Sequence, residues 1–199
     1  MLSLRKRKYF LSQQELHINQ LIQECLQGKQ SAQLAVYNRY YKAMYNTALR
    51  IVKDPFEAED VMQESFLNAF SKLKSYRGEV TFGAWLKRIV INNSIQHYRK
   101  SAKVEHISLD DVLYRVEDTE VNAPEVTFTN LKAQEIVQTM KLLKGNYRIA
   151  LTLKLVEGYD NQEICQIMSV SDSSCRTLIS RAKESLRKKL NEIAYETKG

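Results

Sequence analysis

Residues 160–190 read DNQEICQIMSVSDSSCRTLISRAKESLRKKL, the best-defined pattern in the chain. Asp160, with Glu163 three residues on, has the pattern of a capping box that opens a short helix through Met168. Ser169, Val170 and Ser171 then make a tight turn, with Ser171 as the cap of a longer basic helix. In that helix Cys175, Leu178, Ala182, Leu186 and Leu190 recur at spacings of three and four, so they share one core-facing stripe. A short helix, a three-residue turn and a longer basic helix form a helix-turn-helix, whose second helix suits a major groove. Its opposite side carries Ser173, Arg176, Thr177, Ser180, Glu184 and Arg187, flanked by Arg181 and Lys183. These side chains can donate to phosphates or read base edges. The same spacing also fits a plain helical hairpin with a solvated basic face, and the residues alone leave both readings open.

Upstream, Ile136, Val137, Met140 and Leu143 form an apolar stripe that stops at Gly145. Ala150, Leu151, Lys154 and Leu155 form another that stops at Gly158, so both glycines read as helix terminators. Before them, the segment from Glu105 to Glu125 holds seven acids against one base, Arg115, and contains Asn122-Ala123-Pro124. It reads as a linker that divides a larger amino-terminal domain from a smaller carboxy-terminal one. With 199 residues, 44% of them hydrophobic, the chain can fill two small cores. Six Gly and two Pro leave little for the turns of a β-rich fold. The expected fold is all-α: two small helical domains joined by an acidic linker, the second containing the helix-turn-helix.

In the first domain, Leu16, Leu21, Ile22, Cys25 and Leu26 predict an amphipathic helix ending at Gly28, a natural left-handed terminator. Ser31 is the expected cap of a second helix, which runs towards Lys53 with Tyr37, Tyr41, Met44, Tyr45, Ala48, Ile51 and Val52 as core. Asp54-Pro55 restarts the chain, because Asp caps well and Pro is tolerated at the first helical position. The third helix, to about Leu73, has Asp54, Glu57, Glu59, Asp60 and Glu64 and no base before Lys72. Ala58, Met62, Ser65, Ala69 and Leu73 face its core, whereas Phe56, Asp60, Gln63, Glu64 and Leu67 share another stripe. DNA would repel that stripe. Apolar groups flanking acids suit a basic protein partner, although an ordinary charged surface has the same spacing.

A turn at Tyr76-Arg77-Gly78-Glu79 leads to Thr81, which can cap a fourth helix from Phe82 to about Lys100. From Gly83 to Val104 this segment contains Lys87, Arg88, Arg99, Lys100 and Lys103 and no acid. Trp85, Arg88, Asn92, Gln96 and Arg99 fall on one stripe. Amides and arginines beside an aromatic suit hydrogen bonding to bases and stacking on unpaired ones. Trp85 fits a core position as well, so Arg88 and Arg99 are the firmer nucleic-acid contacts.

Lys plus Arg exceed Asp plus Glu by seven and the pI is about 9.2, which suits a polyanionic partner. Cys25, Cys165 and Cys175 form neither a CxxC pair nor a His/Cys cluster of metal-ligand spacing, and read as reduced core thiols of a cytoplasmic protein. The basic run Arg5-Lys6-Arg7-Lys8 precedes an apolar stretch that breaks at Ser12, too short for a signal peptide, and no later apolar run is of bilayer-spanning length. No membrane insertion is expected. Asp60 and Glu64 lack a nearby His, a Gly-rich phosphate loop or a nucleophile, and His17, His97 and His106 show no metal-protease pairing. The chain is therefore read as no enzyme, with no cofactor, metal or catalytic residue.

In this order the parts resemble the extracytoplasmic-function group of bacterial sigma factors over nearly the whole length. Ala58 through Phe66 looks like that family's polymerase-clamp-binding motif, whose Asp, Gln and Glu match Asp60, Gln63 and Glu64. Phe82 through Ile89, followed by Asn92, resembles its helix for melting and reading the minus-ten promoter element. Asn161 through Lys183 resembles its helix-turn-helix for the upstream element. Three departures stand out: Gln96-His97 where the family usually has Asp, Lys144 where Pro commonly opens a helix, and Cys175 in place of Val. None removes a group that the mechanism requires.

The resemblance implies residues 1–103 as sigma domain two, 104–127 as linker and 128–199 as sigma domain four. It implies polymerase binding by Phe56, Asp60, Gln63, Glu64 and Leu67. DNA binding falls to Arg88, Asn92, Gln96, Arg99, Lys100, Ser173, Arg176, Thr177, Ser180, Arg181 and Arg187. The implied partners are core RNA polymerase, promoter DNA and an anti-sigma factor, and the implied function is promoter-directed transcription initiation. A linker of about 24 residues reaches at most roughly 80 Å, slightly more than two duplex turns of about 34 Å. Its net charge of minus six between two basic helices also predicts that it masks them in the free protein. Two rivals share part of the pattern: a helix-turn-helix regulator that binds an operator unaided as a dimer, and a helical interaction protein.

Overall fold

The structure, a computed structural model, describes residues 17–105 and 128–196. Apart from its first residues, Val104 and Glu105, which continue a helix, the acidic linker lies outside the described residues, as do its masking role and the basic run near the start. Among the described residues every regular element is helical. The chain forms two compact units, one ending at His97 and the other beginning at Tyr98.

In the first unit, α1 spans 17–26 and ends at Gly28, whose φ of +81° is the left-handed conformation expected of it. The Lys29 N–H reaches back to the Glu24 carbonyl at 3.1 Å, which leaves Lys29 as the boundary of α2 (Gln30–Val52). Ser31 therefore does not cap this helix; it lies in the first turn, because the glycine turn already delivers the chain into helix two residues earlier. A left-handed Lys53 (φ +74°) and the Asp54 cap then reverse the chain into α3 (Pro55–Ser71). Asp54 Oδ1 accepts from the N–H groups of Phe56 and Glu57, both at 2.9 Å. Helices α2 and α3 pack together along their buried faces, Met44, Ala48 and Ile51 on one and Ala58, Val61, Met62 and Phe66 on the other. Burying each such large side chain is worth roughly 1.5–3 kcal/mol. Tyr41, assigned to this core by spacing, is 41% exposed and stacks on Tyr37 at 5.8 Å. Leu26 is exposed as well, at the end of α1.

A single 3₁₀ turn over Leu73–Ser75 leads to Thr81, which caps α4 (Phe82–Glu105) through a 3.3 Å bond from the Ala84 N–H. Leu86, Val90, Ile91, Ser94 and Ile95 form the buried side of α4.

The second unit contains α5 (Phe128–Lys141), α6 (Gly145–Leu151), α7 (Asn161–Met168) and α8 (Asp172–Glu196). Gly145 opens α6 instead of terminating α5, which has already closed by short bonds from Leu142 to Thr139 and from Leu143 to Met140. Gly158, at φ +80°, is the terminator that the sequence indicates. Between them the last turn of α6 widens into a π-helical turn, Thr152–Val156, with the Glu157 N–H bonded to Thr152 five residues back. The inserted residue rotates the stripe, so Leu155 is 51% exposed while Leu151 and Leu153 are fully buried. Met140, Leu143, Leu151, Ala182 and Leu186 make the core of this unit. Ile136, at the far end of its stripe, stays exposed.

Candidate functional site

The helix-turn-helix forms as its residues dictate. Asp160 Oδ1 accepts from the Glu163 N–H and Glu163 Oε2 from the Asp160 N–H, each at 2.8 Å, a complete capping box. Helix α7 closes on a left-handed Ser169 (φ +51°), with the Val170 N–H on the Cys165 carbonyl at 3.1 Å. Ser171 then caps α8, its Oγ accepting from the Ser174 N–H at 3.3 Å. Cys175 and Ala182 are fully buried against α7, α5 and α6, and Ile179, which the three-and-four stripe omits, is buried as well. Ser173, Arg176, Thr177, Ser180, Arg181, Lys183, Glu184 and Arg187 are all exposed. The structure thus presents one continuous polar and basic face.

All three cysteines are buried free thiols. A hydrogen bond with Cys175, then burial, then neighbouring Asp172 push the Cys165 thiol up to about 12. Burial and then Glu24 raise that of Cys25. These are inert packing groups.

On α3 the two stripes separate as the wheel requires. Ala58, Met62, Ser65 and Ala69 are buried, as is Leu73 in the turn beyond the helix, while Asp60, Gln63 and Glu64 are exposed. Phe56 is 81% exposed and Leu67 71%. Phe56 and Leu67 thus bracket an acidic strip on the side of the helix turned away from the core.

Asn92, Gln96, Arg99 and Lys100 on α4 are exposed and Arg88 is half-buried. Trp85 is half-buried, held by Tyr76 at 5.3 Å and Phe82 at 5.6 Å. Phe82 in turn meets Tyr40 and Tyr76, both at 5.6 Å, and the Tyr76 hydroxyl donates to the Val80 carbonyl at 2.7 Å. This aromatic cluster anchors the start of α4. Sequence spacing missed it because it joins α2, the turn and α4.

Residues 36–104 match Sigma-70 region 2 and residues 133–186 match Sigma-70, region 4, together more than half of the chain and in that family's order. The chain belongs to the sigma factor family, in its extracytoplasmic-function group. This sigma factor is 28% identical to the RNA polymerase sigma-H factor of Pseudomonas aeruginosa over 89% of its own length and 95% of that protein's. It is 27% identical to the extracytoplasmic-function factor SigW of Bacillus subtilis, covering 90% of this chain and all of SigW. Its fold is similar to that of the sigma factor RpoE solved with the anti-sigma factor NepR from Bartonella quintana, at a TM-score of 0.58 and 19% identity over 79% of this chain and 95% of that one. CnrH, solved with the cytosolic domain of CnrY, gives a TM-score of 0.52 at 21% identity over 86% of this chain and 96% of that one. As a member of this family the sigma factor binds core RNA polymerase and directs promoter-specific transcription initiation. Among the described residues no helix is long and apolar enough to cross a membrane.

Proposed function

We propose that this sigma factor divides its task among three helix faces. Core RNA polymerase docks on α3 through Phe56, Asp60, Gln63, Glu64 and Leu67. The stripe of Arg88, Asn92, Gln96, Arg99 and Lys100 on α4 engages the unpaired minus-ten strand. The α8 face of Ser173, Arg176, Thr177, Ser180, Arg181 and Arg187 reads the upstream duplex. Residues 1–103 act as one domain and 128–199 as the other, with 104–127 as their tether. Holding unstacked bases lowers the cost of melting, an event of a few kcal/mol per base. No catalytic residue or cofactor enters, and the chain works in the cytoplasm.

The observation that carries this reading is the exposure of Phe56 and Leu67 beside Asp60, Gln63 and Glu64, on a helix without a base. A regulator that needs only DNA has no use for such a face. The test is co-purification with core polymerase, followed by promoter-dependent transcription with the reconstituted complex. A chain that binds DNA as a dimer and fails to retain polymerase overturns the reading. The solved neighbours RpoE and CnrH carry NepR and CnrY respectively, and by analogy an anti-sigma factor covers this chain when it is idle.

A further inference from the structure

We propose that a polar seam between α3 and α4, made by Ser65 with Asn93 and by Glu57 with His97, fixes the rotation of the promoter-facing stripe relative to the polymerase-facing one. Asn93 is thus a positioning residue for promoter melting. The inference rests on the roles given above to α3 and α4.

Asn93 Nδ2 donates to Ser65 Oγ at 3.0 Å. Ser65 is fully buried, and its hydroxyl donates to the Val61 carbonyl at 2.6 Å. Having one proton, already committed, the hydroxyl meets Asn93 only as an acceptor, so both partners are held in one orientation. One turn further along α4, His97 Nδ1 stands 3.7 Å from Glu57 Oε2. That nitrogen is buried and lacks a hydrogen-bond partner, so Glu57 is the group towards which it can close. Asn93 and His97 are four residues apart and share a face of α4; Glu57 and Ser65, eight apart, share one of α3.

Each seam residue directly follows a contact residue: Glu57 follows Phe56, Ser65 follows Glu64, Asn93 follows Asn92 and His97 follows Gln96. Neighbours on a helix point about 100° apart, so the seam runs along the edge between each exposed stripe and the core. The apolar remainder of the core, Val61 and Met62 on α3 with Val90 and Ile91 on α4, is attracted without direction. A hydrogen bond weakens steeply with angle and distance. Rotating α4 by about 20° would carry a side chain on a helix of roughly 5–6 Å radius through about 2 Å. Such a turn would break the Asn93 bond and lift Asn92 and Gln96 from their bases together.

The experiment uses holoenzyme on a promoter and reads three quantities: holoenzyme affinity, permanganate reactivity of unpaired thymines, and thermal melting of the free chain. All opening assays are run well below the melting transition of every variant. Asn93→Ala should reduce open complexes by about fivefold to tenfold, with holoenzyme affinity within about twofold of wild type. The double variant Ser65→Ala with Asn93→Leu replaces both partners by apolar groups, which restores stability but no directional bond. It should melt near wild type and still open poorly. If it opens promoters like wild type, the seam only stabilises and the proposal falls; an undiminished Asn93→Ala overturns it too. Asn92→Ala, whose side chain is exposed, separates the two levels. If Asn92→Ala impairs opening and the seam variants do not, only this inference fails; if Asn92→Ala opens normally, the reading of α4 fails and the inference with it.

Discussion

Helices α3 and α8 are both amphipathic, and both bury one face in a small helical core, yet their outer faces have opposite character. Along α3 there are four acids, no base, and two large apolar side chains in solvent. Along α8 there are six bases and four acids, and the face running from Ser173 to Arg187 is wholly polar. Exposed apolar surface stabilises a complex only when a partner excludes water from it, which a protein groove does and a phosphate backbone does not. On the proposed reading, this difference assigns protein docking to one helix and nucleic-acid binding to the other inside one chain. It also explains how a chain of net charge +7 can carry a surface that DNA avoids.

The largest expected effect lies at α3. Asp60→Ala with Glu64→Ala should lower core polymerase affinity by at least about thirtyfold, the effect of losing a binding hot spot. Both side chains are exposed, so helix content and melting should stay nearly unchanged. Wild-type holoenzyme formation by this variant would reduce the acidic strip to ordinary surface. Phe56→Ala sharpens the point, since it should weaken polymerase binding without altering promoter affinity.

At α8 the expected loss is smaller and of another kind. Arg176→Ala should cost about 1–3 kcal/mol in promoter binding if the guanidinium reads a base edge, and the loss should depend on the base at that position. Equal weakening on every sequence, with a shallower salt dependence, would make Arg176 a phosphate contact instead.

Much of this contrast is legible in the amino-acid sequence. Period and caps fix α3, α7 and α8, because Asp54, Asp160 with Glu163, and Ser171 each satisfy orphan N–H groups within three residues of themselves. What spacing misses is non-local. Tyr41 and Leu155 lie on apolar stripes yet face solvent, the second because a π-helical turn shifts the register that a 3.6-residue period assumes. Gly145 has the composition of a terminator but an ordinary φ, since α5 ends four residues earlier. The Asn93 bond to Ser65 joins residues 28 apart, which no local pattern reveals.

The caps supply the next test. Asp160→Ala removes one arm of the capping box and should cost about 1 kcal/mol of stability in the second unit. Asp54→Ala should cost a similar amount in the first, and it should also loosen the start of α3 beside Phe56. Only the second variant should therefore weaken polymerase binding. Equal binding by the two would show that α3 tolerates a frayed start.

The smallest expected effect concerns how the helix-turn-helix is tied. Where α3 and α4 meet through an amide and a hydroxyl, α7 and α8 meet through thiols: Cys165 beside Cys175, whose Sγ also donates to the Asn161 carbonyl at 3.6 Å. The Cys165 thiol titrates at about 12 in the folded chain, against 9.0 ordinarily. A group held protonated by folding contributes its full stability below pH 9, and that contribution is lost as pH rises from 9 towards 12, because the unfolded chain ionises first. The urea midpoint of wild type should therefore fall further between pH 8 and pH 10 than that of Cys165→Ala, while tyrosines and lysines common to both cancel in the difference. Parallel curves would mean that Cys165 ionises in the folded chain as readily as in the unfolded one, and that packing alone joins α7 to α8. A convergence of the two curves would show that the contact between α7 and α8 depends on a protonated thiol, whereas the amide–hydroxyl contact between α3 and α4 has no group that titrates there.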